Sequence, residues 1–298
     1  MKILITGSNG LLGQKLVKLI TEETDHDLIA TARGKNRLPK ESGYIFEPLD
    51  ITNQQEVMDV VSKYKPDVII NTAAMTNVDQ CETEQEECWK LNVTAVEHLI
   101  KASEKNNAFL LHLSTDFIFD GKDGPYTEEA KANPISYYGE SKLAAEKLLL
   151  ESKIKWSIAR TVLVYGIAHD MSRSNIILWV KKSLEDGKEI QVVDDQWRTP
   201  TLAEDLAKGC LLIAENKAKG IFNISGDDFL TPYEMAVKTA EFFNLPQNTM
   251  TKSDSTKFKQ TAKRPPKTGF ILDKAKSDLG YKPHSFEEGI QVLAEQIK

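Results

Sequence analysis

The opening segment constrains the fold most. Residues 2–6 form an apolar strand-like run that ends at Gly7-Ser8-Asn9-Gly10-Leu11-Leu12-Gly13, and the chain then enters a helical pattern with Leu12, Leu16, Leu19 and Ile20 on one face. Glycines spaced in this way permit a tight turn, let main-chain N–H groups approach a pyrophosphate, and aim a helix N-terminus at its charge. A glycine-rich turn alone is weak evidence. The strand before it and the amphipathic helix after it are the context the motif requires. Gly7, Asn9, Gly10, Leu11 and Gly13 are therefore candidate cofactor-binding residues.

Further apolar runs at 27–31, 43–46, 68–71, 110–114 and 157–164 alternate with helical patterns. Continuous apolar strands between helices predict a parallel sheet covered on both faces. The expected class is α/β, a doubly wound Rossmann-type sheet with its ligand crevice at the carboxyl ends of the strands. One intervening helix carries Val57, Val60, Val61 and Tyr64 on one face and a capping box from Thr52 to Gln55. Beyond Gly166 the alternation loosens. Residues 201–214 and 221–224 read as a further helix and strand of the sheet. Residues 175–184, 231–243 and 285–297 read as helices of a smaller, discontinuous domain, the last two opened by Thr231, Pro232 and Glu234 and by Ser285 and Glu288. The expected division is 1–166 with 200–226 for dinucleotide binding and 167–199 with 227–298 for substrate. The Pro-containing stretch 261–268 is a loop suited to recognition.

At 298 residues the chain can bury one large core or two modest ones, and 41% hydrophobic with 28% charged residues is ordinary for a globular protein. A net charge of −6 without long single-sign runs gives no footprint for nucleic acid. Apolar runs too short to span a bilayer argue against a membrane partner, and a cytoplasmic setting is expected. Cys81, Cys88 and Cys210 make no Cys-x-x-Cys unit, so they read as reduced structural thiols, with no metal site.

Cofactor choice is written where the second strand ends, at Thr31-Ala32-Arg33. No carboxylate stands where an NAD site usually offers one to the ribose. Arg33 either suits a 2′-phosphate or is a solvated cation of the loop it shares with Lys35 and Arg37, and the reading favours NADPH with NAD still open. Asp50 either accepts from the adenine amino group or is an exposed loop aspartate. Tyr138 and Lys142, four residues apart, share a helix face. A cation about 4 Å from a phenol at an effective dielectric of about 20 contributes on the order of 4 kcal/mol, enough to bring a phenol from about 10 to neutral pH. Lys142 is thus expected to lower Tyr138 until it donates a proton to a carbonyl oxygen as hydride arrives. Ser114-Thr115-Asp116 closes a buried strand at its carboxyl end, where a hydroxyl can polarise the same carbonyl.

Together, the glycine motif, Ser114-Thr115-Asp116-Phe117-Ile118-Phe119-Asp120-Gly121, Pro125-Tyr126-x-Glu128, Pro134 and Tyr138-x-x-x-Lys142 resemble the extended short-chain dehydrogenase/reductases, most of all the dTDP-4-dehydrorhamnose reductases. Asn71-Thr72-Ala73-Ala74, Val78-Asp79, Asn92, Asp195-Gln196, Pro200-Thr201, Asp205-Leu206 and Arg264-Pro265 follow in the family's order, so the resemblance covers nearly the whole chain. It implies NAD(P)H-dependent reduction of the 4-keto group of a nucleotide-linked deoxy sugar, with Thr115, Tyr138 and Lys142 as the catalytic trio. It places Ile51, Ala73, Ala74 and Asn92 along the cofactor, and Asp116, Asn175, Trp197, Arg198 and Arg264 on the substrate side. Arg198 and Arg264 are either diphosphate ligands or structural pairs. Trp197 either stacks on a base or sugar or is a half-buried core residue. Met75 stands where the family usually carries tyrosine, Arg198 where it carries glycine, and two extra residues separate Arg264 from Leu272. These departures leave the particular sugar open. The same scaffold hosts epimerases and dehydratases with bound NAD, and the sequence also resembles the regulatory β subunit of methionine adenosyltransferase. A homodimer is the base-rate expectation.

Overall fold

A computed structural model describes residues 1–38, 42–170, 174–258 and 260–297. Seven parallel strands form the main sheet: β1 (Lys2–Thr6), β2 (Asp27–Ala32), β3 (Ile45–Pro48), β4 (Val68–Asn71), β5 (Phe109–Thr115), β6 (Trp156–Thr161) and β7 (Gly220–Asn223). Their order is β7-β6-β5-β4-β1-β2-β3. The order reverses between β1 and β4, and in such sheets the crevice opens at the carboxyl ends there. Side chains alternate across the sheet. Ile3 and Ile5 pack with Leu16, Ile20, Leu206 and Ile213 on one face, while Leu4 packs with Val57, Val61, Leu99 and Leu149 on the other.

Three local readings are corrected. The third strand lies at Ile45–Pro48 rather than 43–46, because Gly43, at φ +89°, belongs to the preceding turn and Ile45 is the residue paired with Ile29. The run at 157–164 is broken: β6 stops at Thr161, Leu163 takes φ +36°, and Val164–Tyr165 pairs instead with Thr201–Leu202. The helix Gln54–Tyr64 is capped by Asn53, whose side chain accepts from the N–H groups of Gln55 and Glu56. The Thr52 hydroxyl donates to Asp50 Oδ1 instead, 2.7 Å away.

In the second half, capping boxes at Thr231 with Glu234 and at Ser285 with Glu288 open the helices Pro232–Phe242 and Phe286–Ala294, as their sequences predict. With Ile176–Glu185 these helices bury their own apolar clusters, one around Tyr165, Met235 and Ile290, another around Val180, Leu184 and Ala240. The helix Asp273–Leu279 packs differently: Ala275, Leu279 and Tyr281 join the core beneath the sheet. Among the described residues no helix is long and apolar enough to cross a membrane.

Candidate active site

The glycine turn leaves β1 directly. A Cβ on Gly13 would lie 2.3 Å from the Gly7 carbonyl oxygen, so only glycine lets the helix Leu11–Glu23 start this close to the turn. Gly10 is its N-cap and has no side chain with which to cap the first-turn N–H groups. An uncapped positive helix end beside side-chain-free backbone is a donor set that fits a pyrophosphate. Ala73 and Ala74 line the loop after β4, the Ala73 nitrogen 2.8 Å from where a Gly7 Cβ would sit.

Other expected cofactor residues are placed less directly. Asn92 is buried and its amide is spent: Oδ1 accepts from Met75 N at 2.8 Å, while Nδ2 donates to Met75 O and to Ser141 Oγ. These bonds tie Met75, on the loop that carries Ala73 and Ala74, to Ser141 on the helix Tyr137–Glu151. The Ile51 side chain is core. Asp50 accepts from Thr52, and although burial pushes its carboxyl up, the Thr52 bonds and the Arg33 charge hold it below the usual carboxylate range. Arg33, Lys35 and Arg37 are exposed on their loop.

The catalytic candidates converge at the carboxyl end of β5. Ser136 caps the helix Tyr137–Glu151, and a Cβ on Gly139 would lie 2.2 Å from the Phe117 carbonyl oxygen, so this glycine lets the helix start press against the end of β5. Tyr138 is thereby buried beside Thr115 and packed edge-on against Phe117. Thr115 donates to Asp116 Oδ1 at 3.1 Å and accepts from Phe117 N. Burial pushes the Tyr138 phenol up, the neighbouring Thr115 hydroxyl opposes the rise, and the nearby Asp116 carboxyl adds to it. The expected counterweight from Lys142 is not delivered, because its ammonium is held by the Leu113 carbonyl oxygen at 2.6 Å and His112 Nε2 at 3.1 Å. Burial pushes Lys142 down to about 8 and holds His112 well below the usual imidazole range. His112 continues to the Asn71 amide at 3.0 Å and so to Thr6, a buried polar line through β5, β4 and β1. Sequence reasoning missed His112, although a histidine inside an otherwise apolar strand was the available signal.

The residues expected on the substrate side fare unequally. Asp116 is buried beside Thr115, and desolvation raises its carboxyl despite Arg198 and a very short hydrogen bond from Thr268. Arg198 is 5% exposed and its guanidinium is committed: Nη1 donates to the Trp197 and Pro266 carbonyls, Nη2 to Pro265 O at 2.7 Å, and Nε lies 3.9 Å from Asp116. Arg264 grips Asp79 with both terminal nitrogens, at 2.7 and 3.3 Å. In this structure neither arginine holds a free fork: Arg198 makes a buried structural pair, and Arg264, with 20% of its side chain exposed, is paired with Asp79. Asn175 likewise caps the helix Ile176–Glu185 and donates to Gly166 O. The half-buried Trp197 has Lys267 Nζ over its ring, 4.9 Å from the centroid. Cys81, Cys88 and Cys210 are buried free thiols, and among the described residues no cluster of His, Cys, Asp or Glu could hold a metal ion.

A doubly wound sheet with a phosphate cradle at its switch point and a Thr/Tyr/Lys cluster beside it defines a protein of the extended short-chain dehydrogenase/reductase class. The chain belongs to the family described as RmlD substrate binding domain, which matches residues 1–298. It is 31% identical to the dTDP-4-dehydrorhamnose reductase of Aggregatibacter actinomycetemcomitans, across 97% of each chain. It is 33% identical to methionine adenosyltransferase 2 subunit beta of Xenopus laevis, across 83% of this chain and 73% of that one. Among solved structures, dTDP-4-dehydrorhamnose reductase from Bacillus anthracis in complex with NADP superposes with a TM-score of 0.85 at 27% identity, covering 99% of each chain.

Proposed function

We propose that this protein reduces the keto group of a nucleotide-linked deoxy sugar, with NADPH as reductant and Tyr138 as proton donor. The observation that carries the reading is the buried Tyr138 phenol beside the Thr115 hydroxyl at the carboxyl edge of β5, the edge of the sheet at which the glycine-turn helix starts uncapped. The reductase relatives and the NADP complex of one of them support it. When bound, NADPH supplies the hydride. Tyr138, kept protonated by burial, holds the proton that the reduced oxygen requires. Thr115 orients the carbonyl by turning its hydroxyl from Asp116 toward the substrate oxygen. Lys142, one helical turn beyond Tyr138 and anchored by Leu113 and His112, is assigned to the nicotinamide ribose. The sugar nucleotide enters from the side of 167–199 and 227–298. The same reading sets the enzyme in the cytoplasm as a homodimer.

The test is consumption of NADPH with a panel of nucleotide-linked 4-keto sugars. Turnover with one member supports the proposal. Tight NADPH binding without turnover on any of them turns the reading to a non-catalytic subunit, the alternative that the likeness to methionine adenosyltransferase 2 subunit beta favours. Cofactor preference is a separate expectation. With Arg33, Lys35 and Arg37 exposed on one loop and the Arg33 charge reaching Asp50, NADPH should bind about ten- to hundredfold more tightly than NADH, the worth of a charge-assisted phosphate contact. Calorimetric titration of both cofactors checks this, and equal affinities would take the 2′-phosphate away from this loop.

A further inference from the structure

At the middle of the glycine turn Ser8 is buried, while Asn9 turns its side chain to the loop that follows β2. Its Nδ2 donates to the Lys35 carbonyl oxygen at 2.9 Å, and its Oδ1 accepts from the Arg37 N–H at 2.9 Å. Both bonds go to the main chain of the loop that follows β2. A carboxamide carries a donor and an acceptor in one plane, so it can meet a carbonyl and an N–H two residues apart as a strand edge would. An aspartate could only accept, and a serine would be too short to reach both.

We propose that Asn9 is a positioning residue for cofactor discrimination: its amide clamps the cationic loop 33–38 to the glycine turn, so that the cations reading a 2′-phosphate stand at a fixed distance from the cradle holding the pyrophosphate. The loop needs such a clamp. Gly34 sits at φ +82° with open space around it, so the segment has a permissive joint just past the end of β2. Arg33, Lys35 and Arg37 are long, exposed side chains whose ordering on a phosphate is entropically costly, and a loosened loop adds to that cost. The anchor point is firm. Ser8 N donates to Thr31 O, Gly10 N donates to Gly7 O, and the Asn9 carbonyl accepts from the Gln14 amide at 3.1 Å. A second tether, from Asn36 Nδ2 to the Tyr44 hydroxyl at 2.9 Å, holds the loop from its other side. The clamp acts through the loop and not on the phosphate itself, which separates Asn9 from the glycines around it.

The inference rests on the reading that the loop's cations bind the 2′-phosphate, and NADPH and NADH differ only in that group. Kd for each cofactor is measured on wild type, Asn9→Ala, Arg33→Ala and Arg37→Ala, with the melting temperature of each variant recorded. Asn9→Ala should lower the ratio of NADPH to NADH affinity about fivefold, as when a partly exposed charge contact is loosened. Asn9 is only partly buried and not at positive φ, so alanine leaves the turn intact. Equal weakening of both cofactors would assign Asn9 to the pyrophosphate cradle and overturn the clamp, and no change in either would overturn it as well. A ratio that falls in Arg33→Ala or Arg37→Ala but not in Asn9→Ala removes the clamp alone. A wild-type protein without preference for NADPH removes both the clamp and the reading beneath it.

Discussion

Tyr138→Phe should lower kcat by about 10²- to 10⁴-fold, the usual loss when a positioned general acid is removed, while the protein still folds and binds NADPH. The substitution deletes one oxygen and its proton. The ring remains against Phe117 and beside the buried Cys81 and Cys88, so packing is retained. What disappears is the hydroxyl beside Thr115, the group that faces a substrate oxygen in the proposed mechanism. The buried Thr115 hydroxyl keeps its bond to Asp116 in the variant, so no strand-end group is left stranded. Stopped-assay turnover with the sugar found in the panel, together with NADPH titration, makes the measurement. A variant that retains the wild-type rate excludes Tyr138 as the proton donor. One that loses cofactor affinity as severely as turnover places the phenol in cofactor binding instead.

The features legible in the sequence are those encoded within a few residues. The glycine turn, the capping boxes at Thr231 and Ser285, and the helical pairing of Tyr138 with Lys142 are local patterns, and the α/β class follows from the alternation of apolar runs. Lys142 shows the limit: its position on the helix face could be read, but its anchors Leu113 and His112 lie on β5, about thirty residues away in sequence, and without them the ammonium was expected to face the phenol. The arginines show it more sharply. Sequence gives a guanidinium its charge and shape but not its burial, and the partners of Arg198 and Arg264 come from distant segments, Pro265 and Asp79. A charged side chain is usually solvated, yet Arg198 is buried and Arg264 keeps only a fifth of its side chain exposed. Leu163 is the opposite case. Its apolar neighbours made it read as strand, yet it takes φ +36° and stands 44% exposed, two residues beyond the Thr161 that pairs with Thr115. Apolarity is a property of the residue, whereas the break in the strand is set by the pairing of Val164–Tyr165 with Thr201–Leu202.

The largest effect on stability is expected at Arg160, on β6. Its Nε and Nη2 bind both oxygens of Glu146 at 3.0 and 2.7 Å, its Nη1 donates to the Glu128 carbonyl at 2.9 Å, and its guanidinium lies over the Phe119 ring. Glu146 sits one turn beyond Lys142 on the helix that carries Tyr138, so the pair fastens that helix to the sheet and to the turn containing Tyr126 and Glu128. With side chains 5% and 1% exposed, neither charge can recover its solvation if the other is removed. Arg160→Met should therefore cost about 3–5 kcal/mol, and Glu146→Leu a similar amount, because each strands a buried ion. At a chain of this length that corresponds to a fall in melting temperature of roughly 5–8 °C. The double variant should be more stable than either single one, since it removes both desolvated charges and fills much of the space with apolar atoms. Urea unfolding of the four proteins completes the cycle. Singles that each cost less than about 1 kcal/mol would mean that water or a rearranged partner reaches these groups, and the catalytic helix would then have to be held by its apolar contacts through Ala145 and Leu149.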